Sequence, residues 1–139
     1  MTIVTPQDVA YFEALVGRYA RGANTMALNF PATQEGKCHE NADAFFRCHP
    51  DHPAVRGWLV TELGNAPGYF RLVAHSVNRA PDGTLVDVTP LSDTDRKAYR
   101  FVEHDGSDGR FNELKATFAE LYFPIIDALA ISESNGARW

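Results

Sequence analysis

Cys38 is the side chain of this sequence best suited to act as a nucleophile. It lies in the segment QEGKCHEN (34–41), where a glycine-containing loop runs into a predicted helix. A thiol in the first turn of a helix is close to the positive end of the helix dipole, which favours the thiolate, and Lys37 adds to that field. Gly36 allows close backbone approach and leaves N–H groups for a developing oxyanion. The segment predicts a cysteine nucleophile; the alternative is a buried cysteine that only packs.

His75 is the best placed of the five histidines to serve as the base that such a cysteine needs. It lies inside a predicted strand among apolar neighbours, where a polar ring requires a hydrogen-bond partner. Asp87, flanked by valines in the next predicted strand, is the candidate partner. An acid that holds one imidazole nitrogen leaves the other nitrogen for the thiol, which is the logic of a catalytic triad. The alternatives are a structural histidine and a structural acid, and His104, at a strand end, is a weaker candidate base.

The hairpin between these two strands decides whether His75 and Asp87 share a face of the sheet. The segment APDG (80–83) is a strong turn signal. A two-residue turn at Asp82 and Gly83 would place the imidazole and the carboxylate on opposite faces, because strand side chains alternate. A three-residue loop centred on Asp82, a five-residue loop or a bulge would place them on the same face. The triad therefore requires a longer loop or a bulge.

A metal site is the competing interpretation of the same region. Five potential zinc ligands lie within fifteen residues: Cys38, His39, Cys48, His49 and His52. A helix over 38–48 would separate the two cysteines by about 15 Å of axial rise, too far to share one ion. A smaller site of Cys48, His49 and His52 remains open, although a solvated cluster of His49, Asp51 and His52 at the helix end is the favoured interpretation. We therefore expect neither a metal nor an organic cofactor.

The elements that must position these side chains follow from apolar periodicity and from turn residues. A first helix is predicted from Pro6 to Arg21, with Thr5 as its N-cap and a stripe of Val9, Phe12, Leu15, Val16 and Tyr19. A loop follows over 23–37, and then a second helix over 38–48, whose buried side is Ala42, Phe45 and Phe46. Four strands are predicted at 58–61, 69–79, 84–89 and 98–104, and the acidic stretch 92–95 is predicted to be a solvated loop. A last helix is predicted from 107 or 108 to 130, with Phe111, Leu114, Phe118, Leu121 and Ile125 on its core side and a kink at Pro124.

Length and composition place the chain in the globular class. Its 139 residues fit one domain, 1–139, with 45% apolar residues, and the element order predicts an α+β fold of helices packed on a small antiparallel sheet. The formal net charge of −5 and the scattered basic residues disfavour nucleic-acid binding. No apolar run approaches the roughly 20 residues of a membrane span, and the N-terminus lacks the features of a signal peptide. We therefore expect a cytoplasmic protein without a membrane partner.

The order and setting of the candidate triad resemble the papain-like superfamily in its transglutaminase-like branch. Segment 36–41, GKCHEN, is similar to the Gly-x-Cys-x-Glu segment of arylamine N-acetyltransferases, and LVDV (85–88) resembles the sequence around their catalytic aspartate. The resemblance covers about residues 34–90. It implies a papain-like core, and it implies that Gln34 helps to form an oxyanion hole, as an upstream glutamine does in papain-like proteases. This chain is about half the usual length of such acetyltransferases and has no recognisable region for coenzyme A.

These observations together predict a cysteine-dependent hydrolase or acyl transferase with Cys38, His75 and Asp87 as its triad. The substrate would be a peptide, a protein or a small acylated molecule, with Trp58 and Tyr69 as candidate pocket residues. The alternatives are a non-catalytic protein-binding or regulatory domain of the same fold and a small zinc-binding protein.

Overall fold

The computed structural model describes residues 4–31 and 33–124, which form a mixed α+β fold. Helices in this part of the chain span Pro6–Gly17 (α1), Cys38–Cys48 (α2), Asp93–Ala98 (α3) and Asp108–Thr117 (α4), and a short 3-10 helix spans Tyr19–Arg21. The strands span Met26–Ala27 (β1), Ala54–Glu62 (β2), Phe70–Arg79 (β3), Leu85–Asp87 (β4), Arg100–Glu103 (β5) and Glu120–Phe123 (β6). The general α+β class expected from the element order is therefore confirmed.

The strands form one sheet in the order β1-β4-β3-β2-β5, in which only β1 and β4 run parallel. β2 covers one edge of β3 along the whole of 70–78, and the other edge of β3 is divided between two partners. β6 pairs with residues 70–73, and β4 pairs with Asn78 and Arg79. An antiparallel bridge between Ala23 and Phe101 ties the chain just before β1 to β5, which curls the sheet.

Two apolar clusters pack on opposite faces of this sheet, because side chains alternate along each strand. On one face, Trp58, Leu72 and Ala74 pack with residues of α1 and α4, among them Phe12 and Phe111. The other face carries a smaller cluster of Val55, Leu59, Val77, Tyr99 and Phe101. α2 lies on the first face, where the Asn78 amide donates to the Ala42 carbonyl at 3.0 Å.

The hairpin between β3 and β4 has a three-residue loop, Pro81 to Gly83. Asn78 pairs with Val86 and Arg79 with Leu85, and the Ala80 N–H donates to the Thr84 carbonyl at 2.8 Å. The Gly83 N–H donates to the Ala80 carbonyl at 2.9 Å, and Gly83 has φ +90°, a value that glycine adopts without strain. This is one of the registers that the triad requires, and it places Asp87 on the same face as His75.

The first half of the chain contains both predicted helices, but β1 lies within the predicted loop 23–37, and β2 begins at Ala54, before the predicted strand 58–61. Thr5 caps α1 and forms a capping box with Asp8, but α1 ends at Gly17 instead of Arg21, where the short 3-10 helix takes over. α2 has its predicted limits. Two members of the predicted core stripes are exposed, Val9 at 38% and Phe46 at 41%, so these predictions are wrong.

The second half contains the predicted strands 84–89 and 98–104 with shorter limits, as β4 and β5, and it differs from the other predicted elements in two respects. Residues 93–98 form α3 instead of a loop, with the Ser92 hydroxyl accepting from the Asp95 N–H at 3.1 Å. The predicted last helix ends at Thr117, because Glu120–Phe123 leaves the helix to pair with β3 as β6. Leu121 still enters the core beside Phe118, as a strand residue. The predicted helical residues 125–130 lie outside the described residues, as does Ile125.

No helix within the described ranges is long and apolar enough to span a bilayer.

Candidate active site

The loop before α2 holds Cys38 at the first residue of the helix. Gly36 adopts φ +76°, and the buried Asn41 side chain fixes both backbone groups of Gln34, accepting from its N–H at 3.0 Å and donating to its carbonyl at 2.8 Å. The same amide donates to the Thr89 hydroxyl at 3.0 Å, which ties the loop to the end of β4. The start of α2 is thereby fixed relative to the hairpin that carries Asp87.

The Cys38 thiol lies at the edge of β3. Its side chain is 1% exposed, and Sγ is 4.0 Å from the Ala74 carbonyl oxygen. β6 bonds this edge as far as Ala74, whose N–H donates to the Ala119 carbonyl, and β4 begins to pair at Asn78. None of the described strands pairs with residues 75–77 here. The sulfur therefore lies beside a gap in the pairing along this edge of β3, between the strand segments covered by β6 and β4.

His75 and Asp87 form a buried hydrogen-bonded pair. Nε2 of the ring is 2.8 Å from Oδ2 of the carboxylate, and both side chains are inaccessible to solvent. The second carboxylate oxygen accepts from the Thr89 N–H at 3.0 Å. Nδ1 of His75 is buried and has no hydrogen-bond partner among residues 4–31 and 33–124. The ring therefore has one nitrogen held by an acid and the other available.

The pKa of His75 depends on both of its polar neighbours, Asp87 and Cys38. Burial opposes protonation, but the charge and hydrogen bond of Asp87, together with the adjacent Cys38 thiol, outweigh it and raise the pKa of His75 to about 9. Burial likewise opposes the charge of Asp87, yet the His75 ring, the Thr89 N–H and the Arg96 guanidinium lower the pKa of that carboxyl. The geometry thus favours an imidazolium–carboxylate pair at neutral pH, next to the Cys38 sulfur.

Arg96 is a fourth member of this site, and the sequence analysis did not predict it. From α3, its guanidinium donates to Oδ2 of Asp87 at 3.2 Å, to the Thr25 hydroxyl at 3.1 Å and to the Thr89 carbonyl at 3.4 Å. It therefore holds the carboxylate and the chain segments on either side of it. The available signal was Ser92 followed three residues later by Asp95, a pattern that predicts a helix start.

A second polar network that the sequence did not predict begins at His39. Its Nδ1 is 2.6 Å from the Ser76 hydroxyl, which also accepts from Arg56 at 3.0 Å. The Asp43 carboxylate accepts from the same guanidinium at 2.7 Å. Ser76 lies next to His75 but on the opposite face of β3, so the two networks are separated by the strand itself. The available signal was the adjacent polar pair His75 and Ser76 in an apolar strand, because neighbouring side chains of a strand point to opposite faces.

The remaining predicted site residues occupy varied positions. Gly36 lies in the loop before Cys38, and Gln34 is exposed there, held by its backbone. Trp58 is fully buried in the core and its indole N–H donates to the Tyr11 hydroxyl at 2.9 Å, so it is not at a surface. Tyr69 is 37% exposed just before β3.

His104, the weaker candidate base, has both ring nitrogens occupied. Nε2 donates to the Ser107 carbonyl at 2.8 Å, which leaves Nδ1 to accept from the Tyr11 hydroxyl at 2.6 Å. Neither nitrogen is left to accept a proton from a thiol. His104 therefore orders the segment between β5 and α4.

The residues proposed as zinc ligands are not arranged around a common point. Cys38 and Cys48 stand at opposite ends of α2. His49 stacks on Phe45 with ring centroids 4.4 Å apart, and His52 pairs with the Asp51 carboxylate. Among the described residues, no group of three or more His, Cys, Asp and Glu side chains could hold a metal ion.

Comparisons with known proteins give no relative from which to transfer a function. No protein-family model matches the chain, and neither a curated protein nor a solved structure matches it.

Proposed function

We propose that this protein is a cysteine-dependent hydrolase or acyl transferase in which Cys38 attacks a carbonyl carbon, His75 transfers protons and Asp87 holds the ring. The observation that carries the proposal is the different environment of the two ring nitrogens of His75. Nε2 is bound to Asp87 at 2.8 Å, while the buried Nδ1 has no partner in the described chain and the Cys38 thiol is close enough to raise the pKa of the ring.

The chemistry follows from these positions. In the reactive form the proton of Cys38 already resides on Nδ1 of His75, so a Cys38 thiolate faces an imidazolium that Asp87 stabilises. The thiolate then adds to an amide, isopeptide or thioester carbonyl, and Nδ1–H protonates the leaving amine or thiol as its bond to carbon breaks. Water or an acceptor amine, deprotonated by His75, attacks the resulting thioester and releases the acyl group with the thiolate restored. No metal or organic cofactor takes part in these steps.

The same arrangement supports a papain-like core of the transglutaminase-like kind. In such a core a helix begins at the nucleophile and packs on an antiparallel sheet that carries the histidine and the acid on neighbouring strands. Here α2 begins at Cys38, and β3 and β4 carry His75 and Asp87. The substrate we propose is a peptide, a protein or a small acylated molecule.

Alkylation by iodoacetamide tests the proposal, with Cys48 as an internal reference. Cys38 is buried and Cys48 is exposed, so absolute rates differ for reasons of access alone, and the dependence of each rate on pH is the decisive quantity. We expect the rate at Cys38 to reach its plateau at least about one pH unit below that at Cys48. His75→Gln should move the Cys38 profile up to that of an ordinary thiol. Peptide-resolved mass spectrometry measures both sites in one sample.

A thiolate absorbance titration at 240 nm, with Cys38→Ser as the blank, provides a measurement that does not depend on access. If the two cysteines show the same profile and the same titration, and His75→Gln changes neither, Cys38 is not activated. The protein would then be a non-catalytic domain with a structural His75–Asp87 pair.

A further inference from the structure

His39 immediately follows the proposed nucleophile and is held by a chain of polar contacts. Its Nδ1 is 2.6 Å from the Ser76 hydroxyl oxygen, and that oxygen accepts a hydrogen bond from Arg56 at 3.0 Å. Asp43 accepts from Arg56 at 2.7 Å and fixes the guanidinium. The proposed mechanism uses none of these four residues, so the network requires its own explanation.

The hydrogen bonds determine which nitrogen of His39 carries the proton. An arginine only donates, so Ser76 accepts from Arg56 and retains its own hydroxyl hydrogen. Ser76 is 1% exposed, and the only acceptor in the described chain for that hydrogen is Nδ1 of His39. A buried hydroxyl is almost always satisfied, so the Ser76 hydrogen points to Nδ1. The neutral ring must then carry its hydrogen on Nε2, which has no partner among the described residues.

The surroundings of His39 are positively charged. Burial is the main cause that lowers its pKa, to about 3, and the charges of Lys115, His75 and Arg56 add to it. Lys115 and His39 both border the Phe111 ring, whose centroid is 6.0 Å from the Lys115 nitrogen and 5.7 Å from the centre of the His39 ring. No described acid forms an ion pair with Lys115. A neutral N–H donor among cations is an environment that favours a negatively charged oxygen.

We infer that His39, held in its Nε2–H form by Ser76 and Arg56, donates a hydrogen bond to the carbonyl oxygen of the substrate as Cys38 attacks. This assignment rests on the proposed function and gives the oxyanion role to the residue after the nucleophile. Gln34, the residue first expected in that role, is exposed, and its backbone N–H and carbonyl are bound to Asn41. The transition state it stabilises is one in which a carbonyl oxygen gains charge, so the class of substrate is a carbonyl compound.

Two reagents separate this role from activation of the thiol. p-Nitrophenyl acetate acetylates a thiolate through a tetrahedral oxyanion and releases p-nitrophenolate, whereas iodoacetamide alkylates by displacement of iodide without an oxyanion. We expect His39→Leu to lower the acetylation rate of Cys38 by about 100-fold and to leave its alkylation rate unchanged. His39→Gln retains an N–H donor and should recover most of the loss. Ser76→Ala, which releases the tautomer, should lower the acetylation rate by less than His39→Leu does and should likewise leave the alkylation rate unchanged.

His49→Leu, the same chemical change at the other end of α2, is the matched control and should leave both rates unchanged. Equal acetylation in wild type and His39→Leu would overturn the assignment and leave the proposed function intact. A parallel fall in both reactions would also overturn it, because His39 would then act on the thiol or on the fold. If His39→Leu does not fold, the ratio in Ser76→Ala decides the matter. If the alkylation rate of wild-type Cys38 depends on pH in the same way as that of Cys48, the proposed function fails, and this assignment fails with it.

Discussion

Gly57 and His75 are directly paired on β2 and β3, and the Phe101 ring occupies the space that a side chain at position 57 would fill. A Cβ at Gly57 would lie 2.5 Å from Cζ of Phe101 and 2.4 Å from the Val102 carbonyl oxygen, distances that real side chains do not adopt. The close approach of β5 to β2 therefore depends on a residue without a Cβ, beside the histidine of the candidate site.

Gly57→Ala should destabilise the protein and loosen the setting of His75. Because one of the clashing atoms is backbone, relief requires β5 to move, and we expect a loss of about 3 kcal/mol, at the upper end for overpacked cores. Urea-induced unfolding measures the loss. Gly64→Ala is the control, since a Cβ there meets nothing within 4 Å and the change should be nearly neutral. Equal stability of the two variants would show that the β2–β5 contact is not this close.

Arg96 should matter far more to stability than an arginine in an exposed ion pair. Its guanidinium is 11% exposed and donates to Asp87, a carboxylate with no exposed surface, so Arg96→Gln removes a charge-assisted hydrogen bond from a buried acid. We expect a loss of about 2 kcal/mol in the free energy of unfolding. Arg79→Gln, which breaks an exposed pair with Glu103, should cost less than about 1 kcal/mol. Chemical denaturation of both variants compares the two, and similar losses would contradict a supporting role for Arg96.

The sequence predicted the limits of α2 and the identity of the pair His75 and Asp87, because each depends on local signals. A cysteine after a glycine loop marks the helix start, and a buried polar residue in an apolar strand requires a partner. The sequence was compatible with two kinds of hairpin register, and Pro81 explains why the three-residue loop forms. Proline fits the second position of a type I turn with glycine at the fourth, whereas in a strand it would lack the N–H for pairing.

Features that depend on distant parts of the chain could not be predicted. Residues 120–123 continue the apolar spacing of α4, so their periodicity fits a helix as well as it fits β6, and only the open edge of β3 decides between them. β1 has two residues and is defined only by β4 beside it. Arg96 was hidden for the same reason, because its partners Thr25, Asp87 and Thr89 are brought together by the curled sheet.

Loss of the proton from His75 should make the protein less stable as pH rises through the alkaline range. Asp87 and the Cys38 thiol overcome the opposing effect of burial and raise the pKa of His75 from 6.5 to about 9 in the folded state. Between these values the folded protein binds a proton that the unfolded chain has released, so the contribution to stability is complete below 6.5 and is lost as pH rises through about 9. The loss should be on the order of 3 kcal/mol by about pH 10.

Asp87→Asn tests that dependence, because it removes the charge that holds the proton while keeping the shape of the side chain. Burial, the largest effect on the ring, should then outweigh the remaining effect of Cys38 and lower the pKa of His75 below that of a free histidine. The variant should therefore be less stable than wild type at about pH 6.5 and should lack the alkaline loss. Urea-induced unfolding across about pH 6.5 to 10 measures both slopes, and an NMR titration of the His75 ring gives the pKa directly. Asp51→Asn, whose carboxylate pairs with the more exposed His52, should retain the wild-type slope. Parallel stability curves for wild type and Asp87→Asn would mean that Asp87 does not hold the proton on His75, and the ring would then lack the acid that the proposed mechanism requires.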